Sequence, residues 1–355
     1  MGFFGRKRAP SVPHPRKEPR FDGPLTLERL EQIFQDCVDF TKRPVSLGEG
    51  GACTLTLCYL SGMVKMERVS DYVLRPLAQD EALARCGTPR QAMDRMKDGA
   101  LYNLSAEERT RLDAAVFDLV NGCCLLLFPW ESSVLSLNVG TEEKRSISSP
   151  SNETVLKGSR DAFVESLRTN TSIVRRHLKA PELRIREQVV GRQSVTSVDI
   201  LYIEGLTNPH LVEQVAAQLA DIDIDAVLAT GNIEEYIVPA ARTAFPLVQY
   251  TERSDRFCAG LAEGRVGILI DGLPLGYLAP GVLGDFLQAP QDKSESWLLA
   301  SALTLLRYLC MLGTLLLPAL YVAMVTFHQE MIPTRLALSI IAAKQDVPFR
   351  SVFEV

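Results

Sequence analysis

Signatures of catalysis are scarce in this chain. No GxGxxG follows a predicted strand, and the glycine pairs Gly260/Gly264 and Gly272/Gly276 carry no lysine-serine phosphate loop. No GxSxG elbow presents a nucleophile. Histidine is rare: His14, His177, His210 and His328 are scattered through 355 residues, and none accompanies a cysteine motif. A zinc site is therefore not expected. The eight cysteines contain no CxxC, and several lie in apolar runs. They read as reduced thiols of a cytosolic protein, not as a disulfide framework. A surplus of positive charge is missing too, since the formal net charge is −5, so a nucleic-acid binder is not expected. No enzymatic activity, cofactor or metal is expected. The basic N-terminus lacks an apolar h-region. No signal peptide is expected, and the large N-terminal part should stay cytoplasmic.

What the chain does have is one long apolar stretch near its end. From Tyr308 to Phe327 no formally charged residue occurs, and Leu298–Leu306 extends the run upstream, interrupted at Arg307. About 20 apolar residues in a helix span a bilayer core of roughly 30 Å. Residues 297–327 are thus expected to form a transmembrane helix, with Pro318 tolerated inside it. Residues 328–355 carry apolar positions at helical spacing and are expected to lie on the membrane or against a partner. Residues 1–23 alternate Arg and Lys with proline and should stay disordered.

Between these ends the chain reads as two similar α/β subdomains of mixed sheets, 24–150 and 151–292. In the first, Leu25–Phe40 has helical spacing, Ala52–Leu60 is a short strand and Arg68–Leu77 is helical. Ser105 followed by Glu108 predicts a capped helix over Ser105–Val120, and Cys123–Phe128 and Val134–Val139 read as strands. In the second, Val198–Ile203 is a strand, Asn208-Pro209 starts a helix, and Ser254–Ala262 is a helix ended by Gly264. Val266–Ile270 and Leu275–Leu278 read as strands joined by a turn. Tyr59-Leu60-Ser61-Gly62 matches Tyr202-Ile203-Glu204-Gly205, and Gly122 matches Gly264 at nearly the same separation, as expected of a duplication. The second half differs by opening with a long amphipathic helix, roughly Arg160–Leu178.

Candidate site residues fall in a few clusters. Gly158-Ser159-Arg160-Asp161 opens the long helix, with Asp161 complementing its dipole. Asn170, Arg175 and Arg176, with Arg168, form a polar face suited to subunit contact or to solvent. Glu252, Arg253 and Asp255 form a dense polar group before a helix, with Asp271 in reach for pairing. The Asp221-Ile222-Asp223-Ile224-Asp225 alternation reads as a solvated edge. His328-Gln329-Glu330, with Pro333, sits just past the span.

The segments VLKGSRDAFVESLRTNTSIVRRHLKAPEL (155–183), YIEGLTNPHLVEQV (202–215) and QYTERSDR (249–256) resemble those of a known family. So do LAEGRVGILIDGLP (261–274) and LLPALYVAMVTFHQEMIPT (316–334). The family is that of A subunits of GerA-type germinant receptors of bacterial endospores, which also includes the stage V sporulation protein AF. The resemblance implies a spore inner-membrane subunit that assembles with a permease-like B subunit and a lipoprotein C subunit in a complex that couples nutrient sensing to ion release. It also implies a homo-oligomer within the complex and assigns Glu204, Gly205 and the other cluster residues above to family motifs. Ser159 stands where the family more often has proline. Family members continue with several more membrane helices, so the alternative expectation is a single-span accessory or scaffold protein, or a truncated receptor subunit.

Overall fold

Two five-stranded antiparallel sheets carry the fold, and they share one strand order. The structure is a computed structural model that describes residues 21–47, 54–84, 86, 88–101, 106–129, 131–140, 161–226, 247–287, 292 and 296–327. The described residues from 21 to 281 form one compact unit, and those from Val282 to Phe327 a second. The basic tail up to residue 20 and the segment 328–355 lie outside the described residues.

The first lobe runs α1 (Leu27–Ile33), β1 (Phe40–Ser46) and β2 (Thr54–Leu60). A helical stretch follows: α2 (Met66–Arg68), α3 (Arg75–Gln79), α4 (Glu81–Ala84) and α5 (Pro89–Arg95), with π-helical turns at Val69–Leu74 and Met96–Ala100. Then come β3 (Ala106–Arg109), α6 (Leu112–Val120), β4 (Cys123–Leu127) and β5 (Val134–Asn138). The second lobe repeats the plan with α7 (Leu167–His177), β6 (Leu183–Val190), β7 (Thr196–Ile203), α8 (Pro209–Ala220), β8 (Gln249–Thr251), α9 (Ser254–Ala262), β9 (Val266–Ile270) and β10 (Gly276–Ala279). The orders are β1-β2-β4-β5-β3 and β6-β7-β9-β10-β8. Each strand of one sheet therefore has its counterpart in the other, as the paired motifs predict.

Both faces of each sheet are covered by helices. Leu57, Tyr59, Leu126 and Leu135 face the helices between β2 and β3, while Cys58, Leu60, Leu125 and Leu127 face α1 and α6. In the second lobe Val198, Ile200 and Ile268 pack toward α8, and Leu183, Ile185, Leu201 and Leu269 toward α7 and α9. Strands buried on both sides read as continuous apolar runs, which is why CCLLL and VGILI were legible. Gly122 and Gly264, both with φ of 89°, end α6 and α9 in the left-handed region that favours glycine. All seven described cysteines are free thiols.

Three expectations are corrected. The first helix ends at Ile33, and the chain then turns at Asp36 (φ 58°) and enters β1. The helical spacing of Leu25–Phe40 gives way because Phe40–Ser46 pairs in register with Thr54–Leu60. Ser105 lies outside the described residues, and Glu108 is not a helix cap. It sits in β3 opposite Leu135 of β5, since ladder pairing outweighs a local cap. The helix drawn over Arg160–Leu178 begins only at Leu167. Upstream, Ala162 bridges Arg253 and Phe163 N donates to Glu252 O at 2.8 Å, so that stretch is extended. Asp161 therefore does not complement the helix dipole. Asp271 takes that place, its Oδ1 accepting from Leu167 N at 3.0 Å.

The second unit holds α10 (Leu283–Leu287) and α11 (Trp297–Phe327), a 31-residue helix with Pro318 inside. It is the one described helix long and apolar enough to cross a membrane. Arg307, which interrupts its apolar surface, pairs with Asp292 and donates to Leu287 O at 3.1 Å.

Candidate functional site

The two lobes meet where the turn after α1 runs beside β6. Val38 N donates to Ile185 O at 3.0 Å, and Ile185 N donates to Asp36 O at 3.1 Å, so Cys37 and Ile185 form a parallel bridge. β6 is the outer strand of its sheet, and an outer strand offers unpaired backbone groups. The first lobe satisfies part of that edge.

Charged side chains of β6 and α7 close the joint. Arg175 is 1% exposed, and its Nε and Nη2 donate to the two oxygens of Asp39 at 3.1 and 3.0 Å. Its Nη1 donates to Leu183 O at 3.0 Å. Burial works against this guanidinium charge, but Asp39, together with the Cys37 sulfur, more than offsets it and holds the group above its ordinary range. Arg184, also buried, donates to Ile33 O and pairs with Glu204. Arg186 reaches Glu213 at 2.7 Å and Asp36 at 3.0 Å, with its guanidinium 5.6 Å from the Tyr202 ring centre. Those bonds, Glu213's first, push Arg186 upward. Lys179 Nζ donates to Asn121 Oδ1 at 2.9 Å. A Cβ placed on Gly62 would lie 2.9 Å from Ser172 Cβ, so α7 rests on the turn after β2.

A cavity of about 180 Å³ opens in this joint, lined by Phe21, Arg29, Gln32 and Ile33 of the first lobe and Pro181, Glu182, Arg184 and Glu204 of the second. With about 30 Å³ per water, it holds a few waters or one small polar molecule. Its rim offers both charge signs.

The expected site residues divide between this joint and the ends of α7. Arg175 and Glu204 come to the joint, and Gly205 (φ 79°) makes the turn beside Glu204. Asn170 is fully buried and is used within the chain: Nδ2 donates to Val164 O at 2.6 Å and Oδ1 accepts from Val164 N at 2.8 Å. Arg176 is half-buried on α7. Buried Arg253 holds its neighbour Asp255 at 3.0 and 2.6 Å, and Glu252 contributes its carbonyl to Phe163 N. Asp223 pairs with exposed Arg192 at 2.7 Å, as a solvated edge would. Gly158, Arg160, His328, Gln329, Glu330 and Pro333 lie outside the described residues.

One trio resembles a nucleophile relay. Ser254 Oγ lies 3.2 Å from His177 Nε2, and Asp161 Oδ2 lies 3.5 Å from that same nitrogen. A relay needs the carboxylate on the opposite ring nitrogen. Ser254 Oγ also donates to Asp161 O at 3.1 Å. The trio ties the C-terminal end of α7 to the N-terminal end of α9. Among the described residues no cluster of side chains is suited to a metal ion.

Sequence reasoning missed Asp39, Arg184, Asp36 and Arg186. A signal existed in Leu183-Arg184-Ile185-Arg186, where arginine alternates with apolar residues. That period is a strand's, yet nothing in it names a partner some 150 positions away.

Comparison with known proteins agrees with this architecture. The family described as Bacillus/Clostridium GerA spore germination protein matches residues 28–355. Uncharacterized membrane protein YfkQ of Bacillus subtilis is 33% identical over 92% of this chain and 63% of its own length. Spore germination protein KA of Bacillus subtilis is 34% identical over 89% of this chain and 57% of its own. Spore germination protein GerLA of Bacillus cereus is 33% identical over 89% and 63%. The chain thus spans about three fifths of the length of these relatives. The crystal structure of the N-terminal domain of the A subunit of the Bacillus megaterium spore germinant receptor GerK3 superposes with a TM-score of 0.57 and 27% identity, covering 72% of this chain and 94% of that domain. The paired lobes, the apolar helix after them and the match across residues 28–355 make one conclusion plain: the chain belongs to the GerA family of spore germination proteins.

Proposed function

We propose that this chain acts in nutrient-triggered spore germination as the A-type subunit of a germinant receptor. It works by assembly and by movement between its lobes, without catalysis of its own. The observation that carries the reading is the shared two-lobed fold with the A-subunit domain of GerK3, followed here by one helix able to cross a bilayer. In this reading α11 anchors the lobes at the spore inner membrane, with the lobes on the cytoplasmic side. The partners are further copies of the chain, a permease-like B subunit and a lipoprotein C subunit. The joint is the element that couples to ion release. A joint held by a buried ion pair has discrete packings rather than a continuous range, and a small polar molecule in the cavity beside Arg184 and Glu204 would bias them.

The experiment is isolation of a tagged chain from spore inner membranes, together with germination of spores that lack it. Recovery with a permease-like protein and a lipoprotein, and loss of the response to at least one nutrient, is the expected result. A chain recovered alone, with germination intact for every nutrient tried, overturns the proposal.

A further inference from the structure

Asp199 lies in the middle of β7, fully buried, on the face turned toward α7. Its Oδ2 is 2.9 Å from Thr171 Oγ1, and that hydroxyl is also 2.9 Å from Leu167 O. A threonine hydroxyl carries one hydrogen, so it cannot donate to a carboxylate and a carbonyl at once. Asp199 Oδ1 is buried with no hydrogen-bond partner. Arg168 Nη1 stands 3.8 Å from Oδ2, but Arg168 Nη2 is held by both oxygens of Glu187 at 2.8 Å. An ionised Asp199 therefore leaves one cation facing two carboxylates.

The other groups around it supply no compensating charge. Asp39 is matched to Arg175, and Asp271 accepts from Leu167 N. From α9 and β9 come Phe257, Leu261, Leu269 and the thiol of Cys258, which burial keeps neutral. A proton on Asp199 Oδ2 resolves the conflict. The acid donates to Thr171 Oγ1, Thr171 donates to Leu167 O, and Oδ1 becomes a neutral carbonyl oxygen, which is less costly to leave unpaired than a charged one.

We infer that Asp199 is a proton-binding site that holds α7 on its sheet when occupied, and that loss of the proton loosens the helix carrying Arg175 across to Asp39. Burial, opposed by the Thr171 bond and the Arg168 charge, pushes this carboxyl up to about 6. The proton therefore leaves as pH rises toward neutrality.

The test uses the full chain in detergent micelles. Infrared difference spectra between wild type and Asp199→Asn, stepped from about pH 5 to about pH 8, should show a buried carboxylic-acid carbonyl band in wild type. The band should vanish with a midpoint near 6. Glu187→Gln, which removes a repelling carboxylate and frees Arg168, should lower that midpoint by about one pH unit. Amide exchange across Leu167–His177, corrected for intrinsic chemistry, should lose about tenfold in protection between about pH 5 and about pH 7 in wild type. It should stay level in Asp199→Asn, whose amide also donates to Thr171. A missing Asp199-dependent band across the whole range overturns the assignment. Equal pH dependence of exchange in both proteins overturns the link to α7. Neither readout depends on a role in germination.

Discussion

Arg175 and Asp39 stand in different lobes, 136 positions apart in the chain, and bind each other through two hydrogen bonds in a site closed to water. Removing one partner leaves the other charged and buried, so Arg175→Ala should cost about 3–5 kcal/mol. The double replacement Arg175→Met with Asp39→Leu should recover most of that, because a packed apolar pair needs no desolvation. Denaturant unfolding of the three variants measures both terms. A single-variant cost below about 1 kcal/mol, the level of an exposed pair, shows that the lobes are joined by other contacts.

Gly62 and Ser172 give a steric test of the same joint. A methyl group at Gly62 would sit 2.9 Å from Ser172 Cβ. Gly62→Ala should therefore destabilise by about 1–3 kcal/mol through overpacking. Adding Ser172→Gly should relieve much of it, although glycine inside α7 carries its own cost of up to about 1 kcal/mol. Thermal unfolding of the pair and the singles separates the two effects, and equal stability of both Gly62→Ala proteins would show that α7 gives way freely.

Glu108 predicts an acid limb in stability. Bonds from Arg90 first, then Lys97 and Ser133, hold its carboxyl down at about 2, against 4.5 for the free group. A carboxyl lowered on folding contributes stability that is full above the unfolded value and is lost as pH falls through the folded one. Melting temperature should therefore fall between about pH 5 and about pH 2, and Glu108→Gln should flatten part of that decline. Asp199 has the opposite sign, since its raised carboxyl favours the fold at low pH and withdraws that support as pH rises.

Arg307 and Asp292 test the membrane helix. An uncompensated arginine near the centre of a bilayer helix costs about 2.5–3.5 kcal/mol on insertion scales. Asp292→Ala removes the carboxylate that Arg307 holds, so it should lower the share of chain that resists alkaline extraction from membranes. Arg307→Leu, which extends the apolar run, should not. Equal extraction of both variants would place Arg307 in water rather than in lipid.

The parts of the fold that were legible are those whose signal is local. Apolar runs at Cys123–Leu127 and Val266–Ile270, the cap Asn208-Pro209 and the helix stops Gly122 and Gly264 each act within a few residues. The outer strands were not legible. β1 contains Lys42, Arg43 and Pro44, and β3 reads Ala-Glu-Glu-Arg, compositions fit for an exposed sheet edge. Such segments become strands only when a neighbour supplies hydrogen bonds. The candidate site was half legible: Arg175 and Glu204 stood out as charges within motifs, whereas Asp39 and Arg184 looked like ordinary polar residues.

By itself the amino-acid order settled that two related α/β halves precede one apolar helix, because burial of both sheet faces and the length of a bilayer span write themselves into composition and period. Only the tertiary structure decided that Arg175 faces inward to Asp39, that Asp271 rather than Asp161 meets the start of α7, and that Asp199 lies without a full set of partners. Those outcomes depend on which groups are brought together from distant positions and on how much water is left between them, and neither is encoded in local spacing.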